Sequence, residues 1–272
     1  MSTRPEPPVV VGVDGTDSGY SAVRLAATEA TLRDRPLVLV STRQPQPDEV
    51  GPPETTTRWL AAAASVAGEV HPELSGHVRL EAGDLPDVMI DASRRADLVV
   101  IGNAGAHAAC ERVAAHAAAP VLIAGADPGT PGGPVLVGVD GANPWPAALT
   151  FAFEEAERRG ATLIPLYAWG GLPDTALTEL DPFAYDVGQA ADEADRVLAE
   201  ALAGWNGKYP QVPVLRRAVL HSDPAEALAQ ASREAAMLVV SACSHVGRSE
   251  QLLGTVTRQV MHRAACPVAV VH

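Results

Sequence analysis

Two short runs close on the same pair of residues: Val11-Gly-Val-Asp-Gly15 and, 126 residues on, Val137-Gly-Val-Asp-Gly141. An Asp-Gly pair alone is a turn signal. Its recurrence after the same apolar run makes Asp14 and Asp140 candidates for binding, because a carboxylate at a strand end accepts hydrogen bonds from a sugar hydroxyl. A later apolar run in each half is followed by small residues. Gly102 and Gly105, in Ile101-Gly-Asn-Ala-Gly105, would let a ligand approach bare backbone. Ser241 and Ser244 hold those places in the second half. If the backbone there needed a left-handed conformation, serine would be strained. After Ser244 nine residues intervene before Gly254 and Thr255, which open the helix-period run Thr255–Arg263. Unpaired N–H groups and a hydroxyl at a helix start form a seat for an anion, although Thr255 reads equally well as a plain N-cap.

The elements that must position these residues come in two copies. Ala92-Ser-Arg94 and the run Leu98–Ile101 align with Ala231-Ser-Arg233 and Met237–Val240 at an offset of 139, and Ala119-Pro-Val-Leu-Ile123 aligns with Cys266-Pro-Val-Ala-Val270 at 147. The growing offset gives the second copy about 13 extra residues in its middle and leaves the first copy eight short after its late glycines. That shortening removes the Gly-Thr step, so the helix near Cys110–Ala118 starts without an anion seat. Each copy alternates short apolar runs with Ala-rich helical stretches. This rhythm predicts a parallel sheet covered on both faces. First-copy strands are expected near Val9–Val13, Leu37–Ser41, His77–Glu81, Leu98–Ile101 and Val121–Ala124. Second-copy strands are expected near Val135–Val139, Thr162–Ala168, Val214–Val219, Leu238–Ser241 and Val268–Val271. Pro165 cannot donate to a ladder, which suggests an edge, a bulge or a shortened strand. The Gly/Pro-rich run Gly125–Pro134 marks a boundary near residue 130, between domains 1–128 and 132–272.

Composition removes several function classes. With 47% hydrophobic residues the chain can bury ample core. Its net charge of −13 is spread almost evenly over both halves, which argues against nucleic acid as a partner. The opening residues resemble neither a signal peptide nor a membrane span, so a soluble cytoplasmic protein without a membrane partner is expected. Three cysteines without CxxC spacing support neither disulfides nor zinc, and Cys243 with His245 is an incomplete ligand set. Lys208 is the one lysine, so no Walker-type phosphate loop exists. Neither a nucleophile elbow nor a paired acid–base set marks an enzyme. His107 and His116 read as surface residues, and the four tryptophans as packing groups.

The residues Val-Gly-Val-Asp-Gly in each copy, Leu166-Tyr-Ala-Trp169, Ala96-Asp-Leu-Val-Val-Ile-Gly102 and Ala265-Cys-Pro-Val268 resemble the universal stress protein family over nearly the whole chain. The resemblance implies two flavodoxin-like (Rossmann-type) α/β domains in tandem, packed as an internal pseudo-dimer through their last strands, and is compatible with a further homodimer. It also implies a stress-response role and an ATP site, with Asp140 facing the ribose and backbone near Ala168 meeting the adenine edge. Gly254, Thr255 and Thr257 would hold phosphates, their charge balanced by Arg248, Arg258 or Mg²⁺. The second reading is a ligand-free interaction module whose sites are relics.

Overall fold

The computed structural model describes residues 6–43, 54–74, 76–103, 107–125, 127–141, 146–170, 187–242 and 253–272. Its first half runs β1 (Val9–Gly12), α1 (Asp17–Arg33), β2 (Leu37–Arg43), α2 (Glu54–Val70), β3 (Gly76–Ala82), α3 (Leu85–Ser93), β4 (Leu98–Gly102), α4 (His107–His116) and β5 (Val121–Ala124). The second runs β6 (Val135–Gly138), α5 (Pro146–Arg159), β7 (Leu163–Trp169), α6 (Val187–Ala201), α7 (Trp205–Lys208), β8 (Arg217–Leu220), α8 (Pro224–Ala231), a 3₁₀ turn (Ser232–Glu234), β9 (Met237–Ser241), α9 (Thr255–Arg263) and β10 (Val268–Val271).

The strands form one sheet in the order β3-β2-β1-β4-β5-β10-β9-β6-β7-β8. Pairing is parallel within each half, as continuous apolar strands between helices require. The halves join where β10 meets β5 antiparallel, with Ala269 opposite Leu122. That junction places a pseudo-twofold at the middle of the sheet. Alternate strand residues feed two cores. One lies under α1, α2 and α5 and includes Val9, Leu37, Phe153 and Leu163; the other lies under α3, α4, α8 and α9 and includes Met89, Val113, Leu228 and Met261.

Local chemistry fixes the helix ends. Thr16 caps α1 by accepting the Gly19 N–H at 3.0 Å, and Asp34 ends it in the left-handed region at φ 52. Asp223 caps α8 by accepting the N–H groups of Ala225 and Glu226, with Pro224 in the first turn. The repeated Ala-Ser-Arg acquires a role here. Ser93 is buried, donates to the Ile90 carbonyl (2.5 Å) and accepts the Ala118 N–H (2.8 Å), and Ser232 does the same with Ala229 (2.7 Å) and Ala265 (2.9 Å). Each serine bolts a helix end to the turn leading into the last strand.

Pro165 is not on an edge strand, because β7 lies between β6 and β8. Leu163 bridges Val214, and pairing with β8 resumes only at Leu166–Arg217. Leu163 turns its N–H and carbonyl toward this side, so Pro165, two residues on, points its missing donor into the gap. Trp205 stacks on Phe153 with ring centres 5.2 Å apart, as a packing group should.

Candidate nucleotide-binding site

Strand order reverses between β1 and β4 and again between β6 and β9, which makes their carboxyl ends the expected ligand crevices. Both aspartates lie there, two residues beyond β1 and β6, and both are exposed.

The first-half crevice is occupied by its own residues. Asp14 Oδ1 accepts the N–H of Thr16 at 3.0 Å and its hydroxyl at 2.7 Å. The carboxylate is thereby turned back onto the start of α1. Gly15 has φ +78, and a side chain added there would run into the Trp59 indole. Gly102 departs from its expected role: its bare face meets α1, and an added Cβ would lie 2.7 Å from the Ser18 carbonyl carbon and oxygen. Gly102 is therefore small so that a helix can approach, rather than a ligand. Gly105 lies outside the described residues.

The second half is built differently. Gly141 has Tyr167 beside it, the ring that β7 itself supplies, with the hydroxyl 2.8 Å from where a Cβ would stand. Ala168 pairs with Val219, and the Trp169 carbonyl accepts the His221 N–H at 2.8 Å. Ser241 ends β9 in register with Val271. Among the described non-glycine residues only Asp34 has positive φ, so serine carries no left-handed strain at this position. Ser244, Arg248, Cys243 and His245 lie outside the described residues. Gly254 is the N-cap of α9, not Thr255, and no side chain caps the helix. Thr255 is the exposed first helical residue. No acidic residue stands in the first turn, in contrast to Asp17 in α1, so no carboxylate of that turn offsets the positive end of the α9 backbone.

Thr257 is corrected by the structure. It is buried, and its hydroxyl donates to the Ser241 carbonyl at 2.7 Å, so it ties α9 to β9 instead of facing a phosphate. Cys110, 147 residues earlier, does the same, its Sγ donating to the Gly102 carbonyl at 3.2 Å. Sequence reading missed this joint because its two members differ in type; the 147-residue offset was the available signal. Arg258 is also engaged: Nε lies 3.3 Å from Glu111 on α4, which His262 approaches at 3.1 Å.

Burial pushes the Cys110 thiol up to about 11 and the Cys266 thiol up to about 12. Among the described residues no group of three His, Cys, Asp or Glu side chains is placed to hold a metal, and no helix is long and apolar enough to cross a membrane. A cavity of about 490 Å³ lies at the opposite end of the sheet, lined by Asp34, His71, Glu73 and His77 and by Arg35, which pairs with Glu6 at 2.9 Å. It is remote from both strand-end crevices.

A profile of the Universal stress protein family matches residues 7–125 and again 133–272. The chain belongs to the universal stress protein family. It is 34% identical over 292 residues to universal stress protein Rv2005c of Mycobacterium tuberculosis, covering 96% of each chain. To Rv2623 of the same organism it is 33% identical over 299 residues, covering 96% of this chain and 95% of the other. In three dimensions it is similar to a universal stress protein from Archaeoglobus fulgidus, with a TM-score of 0.64 and 17% identity over 98% of this chain and 96% of that one, which establishes the shared fold. In this universal stress protein the two copies of the family fold differ at their crevices among the described residues: Trp59 lies against Gly15 in the first, and Tyr167 lies against Gly141 in the second.

Proposed function

We propose that this universal stress protein is a nucleotide-responsive stress module in which domain 132–272 holds ATP with Mg²⁺ and domain 1–128 serves as a structural partner. The observation that carries this reading is the uncapped start of α9, with Gly254 and exposed Thr255 in place of a side-chain cap. Phosphates would take the backbone N–H groups there, Asp140 the ribose and backbone near Ala168 the adenine edge. Thr255 would add a hydroxyl, while Ser241 would shape the crevice through its carbonyl's bond to Thr257. We infer binding rather than catalysis, since the sequence carries neither a nucleophile elbow nor a paired acid–base set. The second reading, a ligand-free interaction module, is favoured for domain 1–128 by Trp59 and Ser18 filling its crevice.

Calorimetric titration with MgATP tests the proposal. One saturable site is expected, abolished by Thr255→Glu, which sets a fixed negative charge in the phosphate seat, and retained by Asp14→Ala. Absence of saturable heat, or indifference to Thr255→Glu, overturns it.

A further inference from the structure

The sheet ends in two unequal edges. The β8 edge offers four residues, whereas β3 offers seven, all exposed except half-buried Leu80. β2 pairs with β3 without a break along its length, and among the described residues no strand lies beside the outer row of backbone groups on β3. Proteins blunt such an edge with proline, a bulge, extreme shortness or charge, and of these Gly76–Ala82 has only charge, in the opposite-signed pair Arg79 and Glu81. Val78 is 51% exposed. Arg79 and Glu81 are exposed, and neither side chain takes part in a hydrogen bond or ion pair among the described residues.

Side chains alternate along a strand, and β3 is in register with β2, so Val78, Leu80 and Ala82 share the face of Leu39 while Arg79 and Glu81 share the other. The order is its own antiparallel complement. A twofold axis through Leu80 sets Arg79 of one chain opposite Glu81 of the other, twice, with Leu80 opposite Leu80 and Val78 opposite Ala82. The adjacent registers that keep the faces matched, centred on Arg79 or on Glu81, oppose like charges.

We propose that β3 is a homodimerisation edge along which two copies of this chain pair antiparallel about Leu80, doubling the sheet. A second copy fits because the charge order matches itself, and an isologous contact requires that self-complementarity. The junction of β5 with β10 already uses antiparallel pairing to join the two halves of one chain.

Sedimentation equilibrium of the full chain across a range of concentrations tests this. The wild type is expected to show a reversible monomer–dimer equilibrium. Arg79→Glu and Glu81→Arg should each weaken it on the order of tenfold or more, because each now opposes like charges. The double variant should return to within about threefold of wild type, since it restores the pairs in reverse. Circular dichroism checks that each variant stays folded, which exposure of both residues favours. A wild type that is monomeric throughout, a dimer that neither single variant weakens, or a double variant without recovery overturns the proposal.

Discussion

Arg33 on α1 and Glu155 on α5 meet across the two halves, Nη2 to Oε1 at 2.5 Å, with side chains 5% and 0% exposed. The contact is reciprocal, because Arg159 bonds Glu29 in the same manner. Within each helix the same residues pair again at i,i+4: Arg33 with Glu29 at 3.3 Å, and Arg159 with Glu155. The result is a buried four-membered ring of charges on the pseudo-twofold. Arg158 adds a 2.6 Å contact to Glu155, and Asp97 a 2.9 Å contact to Arg33. Burial pushes the Glu155 carboxyl up, but Arg159, Arg33 and Arg158 outweigh it and hold the group below the usual range. Burial, and then the charge of Glu155, push Glu29 up.

The two carboxyls therefore respond oppositely to acid. A lowered folded pKa gives Glu155 a stabilising contribution that is present above the ordinary value of 4.5 and lost as pH falls through the folded value. A raised one gives Glu29 a contribution present below 4.5 and lost as pH rises through its folded value. Urea unfolding should show Glu155→Gln costing about 3 kcal/mol at neutral pH, as expected when buried arginines lose a partner, and less at pH ~4. Glu29→Gln, which mimics the neutral form, should cost less at neutral pH and more in acid. Equal costs with the same pH trend would contradict this assignment.

This ring shows where sequence reading reached and where it stopped. Glu-Ala-x-x-Arg occurs at Glu29–Arg33 and Glu155–Arg159, at the same 126-residue offset as the Asp-Gly pairs. Locally, though, Glu and Arg four apart describe an exposed helix face. Only the packing of α1 on α5 buries them, and that contact is not local. Elements set by local pattern were legible: Pro146–Arg159 and Thr255–Arg263 form helices with the expected bounds. Pro165 was legible as a misfit, but the gap in β8 opposite it depends on a strand about 50 residues away. The strand-end positions of Asp14 and Asp140 were legible, whereas the roles of Gly102 and Thr257 were hidden because each answers to a neighbour on another element.

The paired serines should behave as independent bolts. Removing either hydroxyl strands a carbonyl and an N–H in a buried turn, which costs about 1–3 kcal/mol. Ser93→Ala and Ser232→Ala sit in different halves and share no partner, so their effects should add within about 0.5 kcal/mol. Chemical denaturation of both single variants and the double checks this, and marked non-additivity would mean the halves relay strain to each other through the sheet.

The thiols of Cys110 and Cys266 should resist modification in the native state. Their folded values of about 11 and about 12 stand above the ordinary 9.0, so thiolate is scarce at neutral pH. Stability from this source is complete below 9.0 and is lost as pH rises through the folded values, because the unfolded chain ionises first. Iodoacetamide at pH ~8, read site by site by mass spectrometry, should label both positions slowly until denaturant is added. Fast native labelling at Cys110 would show that α4 opens readily.

Thr255 and Thr257 stand two residues apart on α9 and should fail in different ways. Thr255 is exposed at the first helical position and has no side-chain hydrogen bond among the described residues, so Thr255→Val should leave unfolding unchanged within about 0.5 kcal/mol. If the phosphate seat is at α9, the same change weakens nucleotide affinity. Thr257 is buried and holds the Ser241 carbonyl, so Thr257→Val strands an acceptor at the foot of the crevice and should cost about 1–2 kcal/mol of stability. Thr257→Ser keeps the hydroxyl and should restore most of that bond. Calorimetric binding and denaturant unfolding on the same three variants separate the roles. Thr257→Val losing affinity at wild-type stability would return that hydroxyl to the ligand and displace the joint described here.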